Sequence, residues 1–144
     1  MPSRPVSEVI GNRPISVASM RTTVRDAASL MKAQRSSAVL VVDEGILVGI
    51  FTERDIVYRV VADSLSPSDT LVESVMTRNI RTISPEKPFG HALHLMYEGG
   101  FRHVPVVDLR GHPLGLLSAH DALDVDGLRL EQELERREEI TVIL

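Results

Sequence analysis

The chain has 144 residues, of which 43% are hydrophobic and 25% charged, the composition of one compact domain or of two small ones that share a core. It has no Trp, only two Tyr and three Phe, and a formal net charge of -4, so it lacks the stacking side chains and the basic face that a nucleic-acid partner requires. The absence of Cys excludes disulfides, thiolate metal sites and a cysteine nucleophile.

The N-terminal stretch MPSRPVSEV has no apolar segment of the kind found in a secretory signal. No run of the chain approaches the roughly 20 apolar residues that a membrane span requires. We therefore expect a cytoplasmic protein that does not contact a membrane.

The first half of the chain predicts the order strand, helix, strand, strand, helix. Its apolar residues recur with helical spacing from Val24, and its Val-rich runs are typical of strands. The predicted elements are a short extended piece at 15–17, a helix from Val24, strands at 39–42 and 46–51, and a helix from Glu53.

The second half repeats this order. Gly49 and Gly115, Thr52 and Ser118, and Asp55 and Asp121 are each separated by 66 residues. The matching predicted elements are an extended piece at 80–83, a helix from Phe89, strands at 104–107 and 114–117, and a helix from Ala119. One copy of about 50 residues would bury too little surface to be stable alone. We therefore predict an α/β (α+β) protein in which two pseudo-symmetric β-α-β-β-α repeats pack through their sheets into one domain.

The repeats set the predicted boundaries along the chain. The first repeat spans 5–62, the second spans 76–126, and the polar stretch 63–75 between them is a linker that ends in a short helix. The remaining segment, 127–144, is rich in Glu and Arg at helical spacing and is predicted to be a charged helical tail.

The string GIFTERD, residues 49–55, has two interpretations. Thr52 and Asp55 match a capping box that starts a helix. A hydroxyl and a carboxylate at a helix N-terminus, after a glycine that permits close approach, are also suited to a phosphate and a ribose. The equivalent string GLLSAHD, at 115–121, favours a site, because capping requires neither the glycine nor the preceding strand.

Together these strings resemble a tandem pair of cystathionine beta-synthase (CBS) domains over about residues 5–126. The resemblance rests on GIFTERD and GLLSAHD, on the strands VLVVD and HVPVVD, and on the segments RPISV and RNIRTI that precede the first helix of each copy. It implies a regulatory module that binds AMP, ADP, ATP or S-adenosylmethionine in clefts between the copies, commonly as a disc-like dimer.

The resemblance also implies roles for individual residues. Asp55 and Asp121 match the ribose-binding carboxylate, and Thr52 and Ser118 match the hydroxyl that meets the first phosphate. The residues that match the lining of the base are Ile50, Phe51, Leu116 and Leu117. The residues expected to contact phosphates in the cleft of Asp55 are Arg102 and His103, with Arg54 as a further candidate.

The two clefts are predicted to be unequal. The first copy has Ser37 and Ala38 where the second has Arg102 and His103, so the cleft of Asp121 lacks the matching cations. We expect the cleft of Asp55 to prefer a phosphorylated nucleotide.

The sequence thus favours a non-catalytic, homodimeric sensor that requires no cofactor and signals to a protein effector. The alternative is a dimerisation or interaction module that binds no ligand, in which these residues serve only as helix caps. His91 and His94 share a helix face, but no third ligand completes a metal site. Ser118, His120 and Asp121 are too close in sequence for a catalytic triad.

Overall fold

The computed structural model describes residues 4–125 and confirms the predicted mixed α/β fold with two similar halves. The predicted tail, 127–144, lies outside the described residues. The first half contains α1 (Val6–Ile10), β1 (Val17–Ser19), α2 (Val24–Gln34), β2 (Ala38–Asp43), β3 (Ile46–Thr52) and α3 (Glu53–Asp55), which continues as a π-helical segment, Ile56–Val61. The second half contains a 3-10 turn (Val72–Ser74), α4 (Phe89–Gly99), β4 (His103–Val107), β5 (Pro113–Ser118) and α5 (Asp121–Val125).

Each half is built on a small sheet. In the first, β2 pairs parallel with β1 and antiparallel with β3. In the second, β4 pairs antiparallel with β5, and Ile83 forms a single parallel bridge with Val106. The strand predicted at 80–83 is therefore reduced to one bridge, because Pro105 stands where β2 has Leu40 and has no N–H to donate to residue 81, as the amide of Leu40 does to the carbonyl oxygen of Ser16.

The lead-in segment of each repeat, which comes before its first sheet strand and first long helix, packs onto the opposite repeat. Val6 and Ile10 of α1 are buried in the core of the second half, where they join Phe89 and Leu117. Residues 72–76 are likewise buried in the core of the first half through Val72, Val75 and Met76. The two halves are therefore interlocked, and each lead-in segment contacts the last strand of the other half, which is β3 in the first half and β5 in the second.

Gly49 and Gly115 make this exchange possible. A Cβ atom at Gly49 would lie 2.6 Å from Sδ of Met76, and one at Gly115 would lie 2.9 Å from Cδ1 of Ile10. The glycine of GIFTERD therefore does permit a close approach, but at both glycines the lead-in segment makes it.

A third apolar cluster joins the two halves. Ala38, Leu40 and Ile50 are buried at its centre, and Ile80 and Leu116 from the second half pack against them. Ile50 and Ile80 also line one cavity and Leu116 lines another, so a cleft lies on either side of this cluster. No helix within residues 4–125 has both the length and the apolar character needed to cross a membrane.

Candidate ligand-binding clefts between the repeats

The predicted capping box of GIFTERD is present. The amide of Thr52 donates to Oδ2 of Asp55 over 2.9 Å, and the amide of Asp55 donates to Oγ1 of Thr52 over 3.3 Å. In the second repeat, the amide of Ser118 donates to Oδ2 of Asp121 over 2.7 Å. Both carboxylates therefore stabilise a helix start, which leaves open whether they also face a site.

The first cleft brings together most of the residues expected around Asp55. It is a cavity of about 460 Å³ between the repeats. The predicted residues that line it are Ile50, Thr52, Arg54, Arg102 and His103. These side chains come from both repeats and are distant in sequence, so the fold brings them together as the resemblance implied.

Asp55 itself lies one layer behind the wall of this cleft. Its side chain is buried, with 6% of the residue exposed, and it does not line the cavity. Thr52 and Thr77 do line it, and their hydroxyls donate to Oδ2 and Oδ1 of Asp55 over 3.2 Å in each case. Arg59 forms an ion pair with the same carboxylate, with Nε 3.6 Å from Oδ1, but this distance is too long for a hydrogen bond. The carboxylate is therefore covered by two neutral hydroxyl groups that can rotate away.

The first cleft is strongly cationic. Arg54, Arg81 and Arg102 line it against the single carboxylate of Glu53. The guanidinium of Arg54 also lies 5.1 Å from the ring centre of Tyr58, a cation–π arrangement at the rim. Such a lining is suited to an anionic group such as a phosphate.

The lining residues of the first cleft that sequence reasoning missed include Thr77, Arg81 and Tyr58. Thr77 and Arg81 belong to the lead-in of the second repeat, and their position depends on the exchange of lead-in segments. The duplication of that lead-in was the available signal, but it did not reveal which repeat the segment would contact.

The second cleft is larger, at about 800 Å³, and contains Leu116, Ser118 and Asp121 as expected. It lacks the cations that would match Arg102 and His103, as predicted, but it is not without cations. Ser37 does stand where the second repeat has Arg102, but Arg13, Lys32 and Arg35 line the cavity instead. Arg13 comes from the lead-in of the first repeat, Lys32 from α2, and Arg35 from the C-terminal cap of that helix. All three lie outside the strand motif on which the prediction was based.

Asp121 is bound by one of these cations. Nη1 of Arg13 lies 2.7 Å from Oδ1, and Nη2 lies 2.8 Å from Oδ2, so the guanidinium holds both oxygens. Burial alone would raise the pKa of Asp121, but the hydrogen bonds from Arg13 and Ser118 and the charge of Arg13 outweigh it and hold the pKa below its usual value. The carboxylate is thus ionised and already paired.

Two of the predicted base-lining residues do not reach either cleft. Phe51 and Leu117 have no exposed surface, and each is part of its own half's core. Successive side chains of a strand point to opposite faces, so only one residue of each predicted pair can face the cleft. Ile50 and Leu116 take that position.

The two clefts share a polar wall. Ser37, Glu53 and His103 line both cavities, and Oγ of Ser37 lies 2.8 Å from Nε2 of His103. Burial lowers the pKa of His103, assisted by the charge of Arg102 and opposed by those of Glu53 and Asp121. His103 is therefore neutral at pH 7.

Within residues 4–125, no group of three or more His, Asp or Glu side chains is arranged to hold a metal ion. Nε2 of His94 instead lies 3.0 Å from Oε1 of Glu98, one turn along the same helix.

Comparison with known proteins defines the family. The family model of the CBS domain matches residues 6–62 and 72–127. The chain therefore belongs to the CBS domain family and carries two CBS domains in tandem.

Its relatives include both longer proteins and CBS pairs. CBSCBSPB1 of Arabidopsis thaliana is 48% identical over 89 residues, which cover 62% of this chain and 16% of that protein. The chain spans no more than 22% of the length of this and two further Arabidopsis relatives.

Two solved structures resemble the chain closely. The CBS domain pair of protein MJ0100, in complex with 5'-methylthioadenosine and S-adenosyl-L-methionine, has a TM-score of 0.77 and 28% identity, covering 89% of this chain and 99% of that one. The CBS domain protein PAE2072 of Pyrobaculum aerophilum, complexed with AMP, has a TM-score of 0.76 and 26% identity, covering 82% and 89%.

Proposed function

We propose that this chain is a non-catalytic regulatory module that binds an adenosine-containing ligand between its two CBS repeats. The observation that carries the proposal is the first cleft, where Thr52, Arg54 and Arg102 surround a cavity backed by the carboxylate of Asp55. The AMP complex of PAE2072 and the S-adenosylmethionine complex of the MJ0100 pair support the ligand class. The candidate regulatory ligands are AMP, ADP, ATP and S-adenosylmethionine, and no further cofactor is required.

Within this class, the charge of the first cleft favours a phosphorylated nucleotide. Three arginines face one carboxylate there, so each added phosphate gains charge-assisted hydrogen bonds. The sulfonium of S-adenosylmethionine brings a further positive charge to the same wall. The expected order of affinity is therefore ATP and ADP above AMP, and AMP above S-adenosylmethionine.

A ligand in this cleft would touch both repeats, because Thr52 and Arg54 belong to the first while Thr77 and Arg102 belong to the second. It would therefore favour the arrangement of the repeats in which these groups converge. A protein effector that distinguishes the two arrangements would read the ligand concentration. Such a sensor of adenine nucleotides would operate in the cytoplasm, without nucleic-acid or membrane partners.

We further propose that the chain acts as a homodimer. Val57, Tyr58, Val61 and Leu65 are exposed apolar or aromatic residues close together on and after the π-helical segment. Val61→Asp should convert the dimer to a monomer in light scattering, whereas Leu109→Asp, at a fully exposed turn residue, should not. A wild-type monomer at micromolar concentration would overturn this part of the proposal.

One observation favours the alternative, a dimerisation module that binds no ligand. Both key carboxylates already have hydrogen-bond partners within the chain, as helix-capping residues would. Thermal unfolding with added ATP, AMP and S-adenosylmethionine separates the two functions. A ligand at a hundredfold excess over its Kd raises the free energy of unfolding by about 2.7 kcal/mol. No change with any of the three would establish the alternative.

A further inference from the structure

The ribose-binding position of the second cleft is occupied by a side chain of the same protein. Asp121 is 4% exposed, and both of its carboxylate oxygens accept hydrogen bonds from Arg13. Nη2 of Arg13 also donates to the carbonyl oxygen of Leu116 over 2.9 Å, which fixes the guanidinium against the end of β5. The arrangement is a bidentate, charge-assisted pair between a buried carboxylate and a partly exposed guanidinium, a geometry stronger than a single hydrogen bond.

Counting acceptors shows what this pair excludes. A carboxylate offers about four lone-pair positions, two on each oxygen. Oδ2 of Asp121 uses both of its positions, for the amide of Ser118 and for Arg13, and Oδ1 uses one for Arg13. A ribose diol that binds in the bidentate manner needs one position on each oxygen. It therefore cannot bind Asp121 in this manner while Arg13 remains.

The equivalent carboxylate of the first cleft is not closed in this way. Asp55 accepts from the hydroxyls of Thr52 and Thr77, which ligand hydroxyls can replace like for like. Arg78, the residue equivalent to Arg13, is exposed and donates to the carbonyl oxygen of Glu73 instead. The difference between the clefts therefore lies in the lead-in segments rather than in the duplicated motif.

Arg13 can leave without disturbing the core. It follows α1, whose Ile10 is anchored in the second repeat, by three residues, and residues 11–14 are all exposed. Its own side chain is 39% exposed although its partner is buried. A rotation within this short segment would release the carboxylate while α1 stays in place.

We propose that Arg13 is an intramolecular latch that competes with ribose for Asp121, so that the second cleft accepts an adenosine ligand only when Arg13 is displaced. The inference rests on the proposed function and predicts that one chain with two CBS motifs fills its clefts unequally. A neutral nucleoside has no anionic group that could pair with the released guanidinium, so the latch discriminates most strongly against ligands without a phosphate.

The test is a calorimetric titration of AMP and of adenosine into the wild type and into Arg13→Gln. We expect the wild type to bind one molecule of AMP per chain. Arg13→Gln should bind two, with the second cleft at least about tenfold tighter than in the wild type, and the gain should be larger for adenosine. Loss of a cation by itself predicts weaker AMP binding, so the sign of the change separates a latch from simple charge loss.

Three variants locate the effect. Arg78→Gln, the matched control, should leave the stoichiometry at one. Arg13→Lys keeps the positive charge but cannot donate two parallel hydrogen bonds to the carboxylate, and should open the second cleft in part. Asp121→Asn added to Arg13→Gln should remove the second site, and circular dichroism should show that each variant is folded.

The outcomes are distinct. One AMP in the wild type and two in Arg13→Gln support the latch, as does none in the wild type and one in Arg13→Gln, which would refute only the assignment of the first cleft. One in each protein, or two equal sites in the wild type, would overturn the latch and leave the proposed function standing. No binding to either protein would overturn both.

Discussion

Asp55 and Asp121 occupy the same position in two copies of one motif, yet their surroundings differ. Asp55 is covered by the hydroxyls of Thr52 and Thr77, whereas Asp121 is held by the guanidinium of Arg13. Thr77 and Arg13, the partners that distinguish the sites, come from the lead-in segments, which are exchanged between the repeats. A duplicated motif therefore fixes where two sites lie, but the segment that packs against each one decides whether it is open.

The largest effect expected from this comparison concerns the two carboxylates. Asp55→Asn should weaken AMP binding by about tenfold to a hundredfold, because hydrogen bonds to a charged acceptor contribute about 1.5–3 kcal/mol. Asp121→Asn should change it by less than about twofold, because Arg13 already excludes the ribose there. Calorimetry of the two variants checks this, and equal losses would remove the distinction between the clefts.

The next effect concerns the cations of the first cleft. Arg102→Ala should weaken ATP binding by about tenfold, equivalent to about 1.4 kcal/mol, and adenosine binding by much less, because the guanidinium serves the phosphates. Arg110→Ala removes another exposed arginine, from a turn that lines neither cleft, and is the matched control. A similar loss for ATP and adenosine would show that Arg102 does not contact phosphate.

A smaller effect concerns stability. Arg13→Gln should lower the free energy of unfolding at pH 7 by about 1 kcal/mol, a value reduced from that of a fully buried pair because Arg13 is partly exposed. Arg78→Gln should have almost no effect, since that side chain makes one exposed bond to a carbonyl oxygen.

The pH dependence of this effect has a definite sign. The pKa of Asp121 is lower in the folded chain than the unfolded value of about 3.9. The stabilisation is therefore complete above about pH 4 and disappears as the pH falls through the folded pKa. Urea denaturation between pH 3 and pH 7 should show the wild type and Arg13→Gln converging in acid, and a constant difference would contradict the pairing.

The smallest effect concerns His103, which lies in the wall between the clefts. Burial lowers its pKa in the free protein, so it is neutral at pH 7, and a bound phosphate would raise that pKa again. Nucleotide binding should therefore take up a fraction of a proton, and affinity should increase as the pH falls toward about 6.5. Titrations in two buffers of different ionisation enthalpy measure the uptake. The uptake should fall in His103→Gln, and an unchanged value would exclude His103 as its source.

Much of the fold could be predicted from the sequence, because local periodicity and duplication determine it. The helices that start at Val24 and Phe89 begin where the apolar spacing placed them, and the four long strands agree within two residues at each end. The short strand at 80–83 was overestimated because its own residues do not show that Pro105, on the neighbouring strand, cannot donate to it. The exchange of lead-in segments was not predictable, since it depends on how Met76 and Ile10 fit against Gly49 and Gly115 in the folded chain.

The site was predictable where strand alternation or the repeat fixed it, and not where tertiary packing did. Thr52, Arg102 and His103 meet in one cleft as expected. Phe51 is in the core because it follows Ile50 on β3, and only one of two successive strand residues can face the cleft. Arg13 lies 108 residues from its partner, and although it begins the segment RPISV, nothing in that segment predicts the contact, so only the structure revealed it.

The most direct test of this account is a crystal structure of the protein grown with AMP. We predict the nucleotide in the first cleft, its ribose hydroxyls on the carboxylate of Asp55 in place of the threonine hydroxyls, and its phosphate beside Arg102. Arg13 should still hold Asp121. A nucleotide whose ribose binds Asp121, with the first cleft empty, would contradict the account.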